Sequence, residues 1–244
     1  MSEEERQRVI RLKLARMQSL TGPAIPTGFG ALDEAMGVAG LPRGRIVELF
    51  GPSSAGKTTL ALQILAHTQQ NGFAGAWIDA DHSFDAAYAT RLSVNLEALP
   101  VAQPESAEEA LEVARQLAVS GAVDLLVVDS AAALVPRMEL ETGLGESSPG
   151  MQSRVLASGL RKLSATLART GVAILFLNQT RGGAGDGEVS AGGPGLKLYA
   201  AVRIFLEPAG RGGVRFRTVK NKVAAPFAEG ILDWDNTVGF AKRA

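Results

Sequence analysis

Residues 51–63 read GPSSAGKTTLALQ. The run before them, Arg45 to Phe50 (RIVELF), has the composition of a buried strand, and Leu60 to Ala66 carry apolar residues at helical spacing. A strand, a tight glycine loop and a helix start therefore follow one another. Gly51, Gly56, Lys57 and Thr58 fit G-x-x-x-x-G-K-[ST]. The spacing has a chemical reason. Backbone N–H groups wrap a phosphate only where glycine lets the chain come close. The helix N-terminus behind the loop adds unpaired donors and a partial positive charge. Gly51, Pro52, Ser53, Ser54, Ala55, Gly56, Lys57, Thr58 and Thr59 are thus expected to cradle nucleotide phosphates. In that reading Lys57 reaches the β- and γ-phosphates and Thr58 places its hydroxyl on Mg²⁺.

The chain has 244 residues, enough for one α/β domain with a large core. Its formal net charge is zero, so any nucleic-acid binding must be local. There are no cysteines, which excludes disulfides, cysteine-ligated zinc and thiol catalysis. Only two histidines occur, His67 and His82, which excludes a multi-histidine metal site. No apolar run approaches the ~20 residues of a membrane span. The charged N-terminus, MSEEERQRVIRLKLARMQSL, lacks the apolar core of a secretory signal. A cytoplasmic protein without membrane contact is expected.

Along the chain, residues 3–18 read as a short amphipathic helix with Val9, Leu12, Leu14 and Met17 on its apolar side. It docks either on its own domain or on another subunit. Residues 1–22 are read as this helix and a linker, and residues 23–244 as one core. TGPAIPTGFGALDEAMG, rich in Gly and Pro, leads into a short helix. After the glycine loop, a helix runs to about Gln70. AGAWIDAD, residues 74–81, reads as a second buried strand. Ser106 and Glu109 form a capping box that opens a helix closed by Gly121. VDLLVVDS is a third strand, residues 151–170 a long helix, and GVAILFLNQT a fourth strand. Continuous apolar strands alternating with helices imply a largely parallel sheet covered on both faces. After residue 200, AVRIFLE, GVRFRTVKN and FAEGILDW are strand-like with little helix between, and are expected to extend the sheet antiparallel. Trp234 and Phe240 are read as packing on that sheet.

Acids at the tips of parallel strands lie where such sheets bind ligands. Asp129, ending DLLVVDS, is placed to hold Mg²⁺. WIDADH ends the second strand with Asp79, Asp81 and His82, and one of the two acids suits the orientation of an attacking water. Asp85 and Tyr88 follow, the aromatic ring suited to stack on adenine. FLNQT places Asn178 and Gln179 beside the same site, and a Gln there can sense the γ-phosphate and signal into the following loop. That loop, RGGAGDGEVSAGGPG at 181–195, holds seven glycines, which predicts mobility without ligand.

The combined pattern resembles the bacterial RecA recombinase family. The segments that carry the likeness are GLPRGRIVELFGPSSAGKTTL, WIDADHSFDAAYATRL, SGAVDLLVVDSAAAL, GMQSRVLASGLRKL, LFLNQTR, GGPGLKLYAAVR and VKNKVAAPF, in the family's order across residues 40 to about 227. The resemblance implies ATP with Mg²⁺ held at subunit interfaces of a filament on single-stranded DNA. It assigns Asp85 and Tyr88 to the adenine side and Gln179 to the γ-phosphate. By the same likeness Lys220 and Lys222 reach the neighbour's ATP, and Asp81 stands at the water-activating position. Residues 138–154 and 181–195 would be the DNA loops, with Arg154, Arg161 and Arg181 as phosphate contacts.

Four departures qualify it. Asp81 stands where the family has Glu, one methylene longer. The glycine-rich loop is shorter, without aromatics, and sets one Arg against Asp186 and Glu188. The N-terminal region is abbreviated, and the chain ends at Ala244, before the family's C-terminal domain. These point to a short paralog of the mutasome-accessory type, an ATP-binding module in damage tolerance that contacts RecA or an error-prone polymerase and hydrolyses ATP slowly. The alternative is a minimal DNA-dependent ATPase or recombinase that assembles through its N-terminal helix. A third reading is a nucleotide-gated switch unrelated to DNA.

Overall fold

A computed structural model describes residues 22–142, 150–180, 190–210 and 212–241. The expected helix over 3–18, most of the glycine-rich loop and Arg181 lie outside the described residues. In chain order the elements begin with β1 (Ala24–Ile25), α1 (Gly30–Met36), β2 (Leu41–Pro42), β3 (Ile46–Gly51) and α2 (Lys57–Gln70). They continue with β4 (Gly75–Asp79), α3 (Ala86–Arg91), β5 (Val101–Ala102), α4 (Ala107–Ser120), β6 (Leu125–Asp129) and α5 (Arg137–Glu141). The remainder are α6 (Met151–Thr170), β7 (Ala173–Gln179), α7 (Gly195–Tyr199), β8 (Val202–Pro208), β9 (Gly213–Asn221), β10 (Glu229–Asp235) and β11 (Gly239–Phe240).

The main sheet runs β11-β10-β9-β8-β3-β7-β6-β4-β5. Neighbours from β8 to β5 pair parallel, and β9, β10 and β11 add antiparallel. The expected antiparallel extension therefore begins one strand later than AVRIFLE: β8 is parallel to β3. The reason is the crossover through α7, which returns the chain to the same end of the sheet before β8 starts.

Strand parity divides the core. Val47, Leu49, Trp77, Leu125, Val127, Leu175 and Leu177 face one layer, packed with Leu60, Ile64 and Leu65 of α2. Ile46, Ala76, Ile78, Leu126, Val128, Ile174 and Phe176 face the other, packed with α4 and α6 through Leu111, Leu156, Leu160 and Leu163. Both faces are apolar because both are covered, which is why these strands lack alternation. Helix α4 starts as expected, with the Ser106 side chain accepting from the Glu109 N–H. The reciprocal arm is displaced by one residue: the Glu109 carboxylate accepts from Glu105 N–H at 2.9 Å. Among the described residues no helix is long and apolar enough to cross a membrane.

Candidate nucleotide-binding site

Strand β3 delivers the chain to the glycine loop at Gly51, where a Cβ would lie 2.1 Å from the Leu206 carbonyl oxygen. Only glycine allows that approach of β3 to β8. Helix α2 opens at Lys57. The Lys57 ammonium turns back into the loop and donates to the carbonyls of Gly51 at 3.1 Å and Pro52 at 2.7 Å. Burial lowers its pKa, and the Asp129 carboxylate opposes that shift. The next residue, Thr58, donates through Oγ1 to Asp129 Oδ2 at 3.0 Å.

Asp129 ends β6, is buried, and is followed by a cis peptide to Ser130. Its carboxyl is pushed up from 3.8 to about 6, first by burial and then by Asp81, against the hydrogen bond from Thr58; Asp79 adds to the rise and Lys57 opposes it. Three acids thus converge on one strand-end corner, and a cation would relieve them. Among the described residues no group of three His, Cys, Asp or Glu is arranged to hold a metal by itself. One hydroxyl and one carboxylate suit Mg²⁺, which keeps waters and takes its other ligands from phosphates. Thr58 and Asp129 fit that role.

The two acids of WIDADH separate by environment. Asp79 is fully buried and accepts from Ser83 N–H at 3.0 Å, Phe84 N–H at 3.2 Å and Gln103 Nε2 at 2.8 Å. It ties down the turn after β4. Asp81 is exposed, accepts only from Ser83 Oγ (2.7 Å) among the hydrogen bonds described, and lines a cleft with Ser130, Gln179, Thr180 and Ala191. Asp81 is therefore the acid placed opposite Gln179. Gln103, which holds Asp79, carried no sequence signal.

On the flank, Asp85 caps α3 by accepting from Tyr88 N–H at 2.9 Å. The Tyr88 hydroxyl meets Thr59 Oγ1 at 2.7 Å, and the Arg91 guanidinium lies over the Tyr88 ring at 5.2 Å. Ring and helix start are thus tied together.

Gln179 stands at the root of the glycine-rich segment. Its carbonyl accepts from Ala191 N–H at 2.9 Å, and Thr180 bridges Ser190. Asn178 Nδ2 donates to the Ala191 carbonyl at 3.0 Å and to Glu48 Oε1 at 2.9 Å. The other Glu48 oxygen pairs with Arg203, which also donates to Ser190 Oγ at 3.2 Å. Glu48, Asn178 and Arg203 are all buried. Sequence reading missed this network; its one trace was a Glu and an Arg inside apolar strands.

Lys220 sits opposite Arg203 in the β8–β9 register. Its ammonium donates to the carbonyls of Lys197 at 2.6 Å and Leu198 at 3.1 Å, at the end of α7. Burial, then Lys222 and Arg203, push it down to about 8, with Glu48 opposing. Lys222 is exposed. Arg154 and Arg161 are exposed on α6, and seven residues of helix put them on one face about 10 Å apart.

Against known proteins, the RecA N-terminal domain family matches residues 5–240. The chain belongs to the RecA family. It is 46% identical to Protein RecA of Thermus thermophilus over 236 residues, covering 91% of this chain and 69% of that protein. It is 47% identical to Protein RecA of Deinococcus radiodurans over 232 residues, covering 89% and 64%. With Protein RecA of Chloroflexus aggregans it shares 47% over 223 residues, covering 86% and 64%. The chain thus spans about two thirds of the length of these RecA relatives.

Proposed function

We propose that this RecA-family chain is an Mg²⁺-dependent ATP-binding protein of DNA repair and recombination, with slow hydrolysis and an accessory or regulatory role. It would work on single-stranded DNA with RecA or an error-prone polymerase as its partner. The observation that carries the reading is the contact of Thr58 with Asp129 beside Lys57, all under the tip that presents Asp81 and Gln179.

Bound ATP with Mg²⁺ supplies a transferable phosphoryl group. Lys57 leaves the loop carbonyls for the phosphates, and Thr58 and Asp129 hold the metal side. Tyr88 and Asp85 receive the base. Asp81 orients the attacking water with a carboxylate one methylene shorter than Glu; a misplacement of about 1 Å can cost about a hundredfold in rate. Gln179 reads the γ-phosphate, and its carbonyl and neighbour Asn178 transmit that state to Ala191 at the loop root. Lys222, and Lys220 once released from α7, stabilise charge on a neighbouring copy's ATP. Arg154, Arg161 and Arg181 take DNA phosphates, so binding weakens with salt.

A second reading, a single-stranded-DNA-dependent ATPase or recombinase that assembles as filaments through its N-terminal helix, is favoured by Lys222, which is exposed just past β9 where it could meet a neighbouring copy. ATP hydrolysis with and without single-stranded DNA separates the two, measured beside Lys57→Ala and Asp81→Glu. DNA-stimulated turnover abolished by Lys57→Ala supports the second reading. ATP bound without turnover, with turnover gained by Asp81→Glu, supports the first.

A further inference from the structure

The C-terminal hairpin grips the back of the phosphate loop. Gln63, two turns into α2 and buried, spends its whole side-chain amide on three backbone groups of the hairpin end. Its Nε2 donates to the carbonyls of Val238 and Phe240, each at 3.0 Å, and its Oε1 accepts from Phe240 N–H at 2.9 Å. That grip seats the Phe240 ring under Gly56. Gly56 is the residue before α2 and has φ +80°; a Cβ there would lie 2.6 Å from Phe240 Cζ. Trp234 meets the same ring edge-on at 5.2 Å, and Phe29 meets it edge-on at 6.4 Å. Phe240 is buried in this aromatic cluster. The hairpin end also walls a cleft with Gln63, Arg91 and Ser93, and Arg91 covers Tyr88.

We infer that the β10–β11 hairpin sets the geometry of the phosphate loop, with Gln63 and Phe240 as positioning residues for nucleotide binding. The inference rests on the ATP-binding reading above but concerns residues that touch no phosphate. The physical argument is short. A phosphate loop binds through backbone N–H directions, and these depend on where the turn at Gly56 sits. Ser53, Ser54 and Thr58 of the loop are exposed. The Phe240 ring is the wall at Gly56, and the Gln63 amide fixes that wall to the helix the loop feeds. A helix interior seldom buries a glutamine unless its polar atoms are satisfied, and here all three bonds go to one hairpin.

Gln63→Glu is the sharpest probe. It keeps the size but turns a carboxylate oxygen toward two carbonyls, so the grip becomes repulsive. Gln63→Met removes the donors without charge, and Phe240→Leu keeps an apolar side chain but removes the ring. Leu160→Ala, on the opposite face of the sheet, is the stability control. Two readouts are taken well below each variant's melting temperature. The first is hydrogen exchange of peptides covering 51–63 and 229–240 in nucleotide-free protein. The second is affinity for a fluorescent ADP analogue.

In Gln63→Glu, Gln63→Met and Phe240→Leu, exchange over 51–63 should speed up and ADP affinity should fall by about tenfold or more. Leu160→Ala should lower the melting temperature and move neither readout. The inference is overturned if exchange speeds up over 229–240 alone, with the loop and the affinity unchanged. If the wild type binds no nucleotide, the ATP-binding reading fails, and loop exchange still decides whether the hairpin positions the loop.

Discussion

Thr58 Oγ1 and Asp129 Oδ2 lie 3.0 Å apart, so the first turn of α2 and the tip of β6 are joined across the site before any ligand arrives. The contact holds the Asp129 carboxyl in a buried corner beside Asp79, with Asp81 exposed at its edge; burial first and then Asp81 push that carboxyl up to about 6 against the Thr58 hydrogen bond. A raised acid holds its proton more tightly in the folded chain than in the unfolded one. Stability is therefore lost as pH rises through the window from 3.8 to about 6, and stays lower above it. The cost at neutral pH is about 3 kcal/mol. Asp129→Asn should raise the melting temperature of the nucleotide-free protein at pH 7.5 by several degrees and flatten its pH dependence. The same variant should lose Mg²⁺-dependent ATP binding. Thermal melts from about pH 4 to 8, with and without Mg²⁺-ATP, check both halves.

The two acids at the tip of β4 should part in mutagenesis. Asp79 is buried and accepts from two backbone N–H groups and Gln103, so Asp79→Ala should cost about 1 kcal/mol by removing the bonds that hold the turn after β4. Asp81→Asn should change stability by no more than about 0.5 kcal/mol, while removing whatever ATP hydrolysis the wild type shows. Urea denaturation and a phosphate-release assay on the same preparations decide it.

Glu48 and Arg203 form a buried pair whose partners also hold Asn178 and Ser190. Removing one charge strands the other, so Glu48→Gln or Arg203→Met alone should cost about 3–5 kcal/mol. The double variant should be less destabilised than the two single costs added together. A double-mutant cycle by denaturant titration measures the coupling. The single variants should also weaken any effect of DNA on ATP turnover, since the pair anchors the loop root at Ser190.

Lys220 and Lys222 should behave differently although they stand two residues apart. Lys220 caps the carbonyls of α7, and Lys220→Ala should cost about 1 kcal/mol as well as activity. Lys222→Ala should leave stability within about 0.5 kcal/mol and lower only activity that depends on a neighbouring copy. Turnover measured against protein concentration, with melts in parallel, separates the two lysines.

Much of this was legible in the sequence, for local reasons. The strand–loop–helix at Gly51–Thr59, the Ser106 cap and the bounds of Met151–Thr170 each depend on residues within a turn or two of one another. The direction of β8 was not legible, because VRIFLE has the same composition whichever way its neighbours run. Nor was the choice between Asp79 and Asp81 as the exposed acid legible from spacing, since Gln103 decides it from just beyond β5. The Glu48–Arg203 pair spans 155 residues, and the Gln63–Phe240 grip spans 177. No periodicity encodes contacts at that separation. The residues that set the site from behind were therefore the ones the motifs left out.

The Lys57 ammonium is held by two carbonyls of its own loop. An incoming phosphate must win it from those partners, so affinity measures an exchange and not a new contact. A weakly charged anion has little to offer in that exchange. The loop should therefore discriminate by total charge and the number of phosphoryl groups, taking ATP and ADP well ahead of AMP or inorganic sulfate in a competition binding assay.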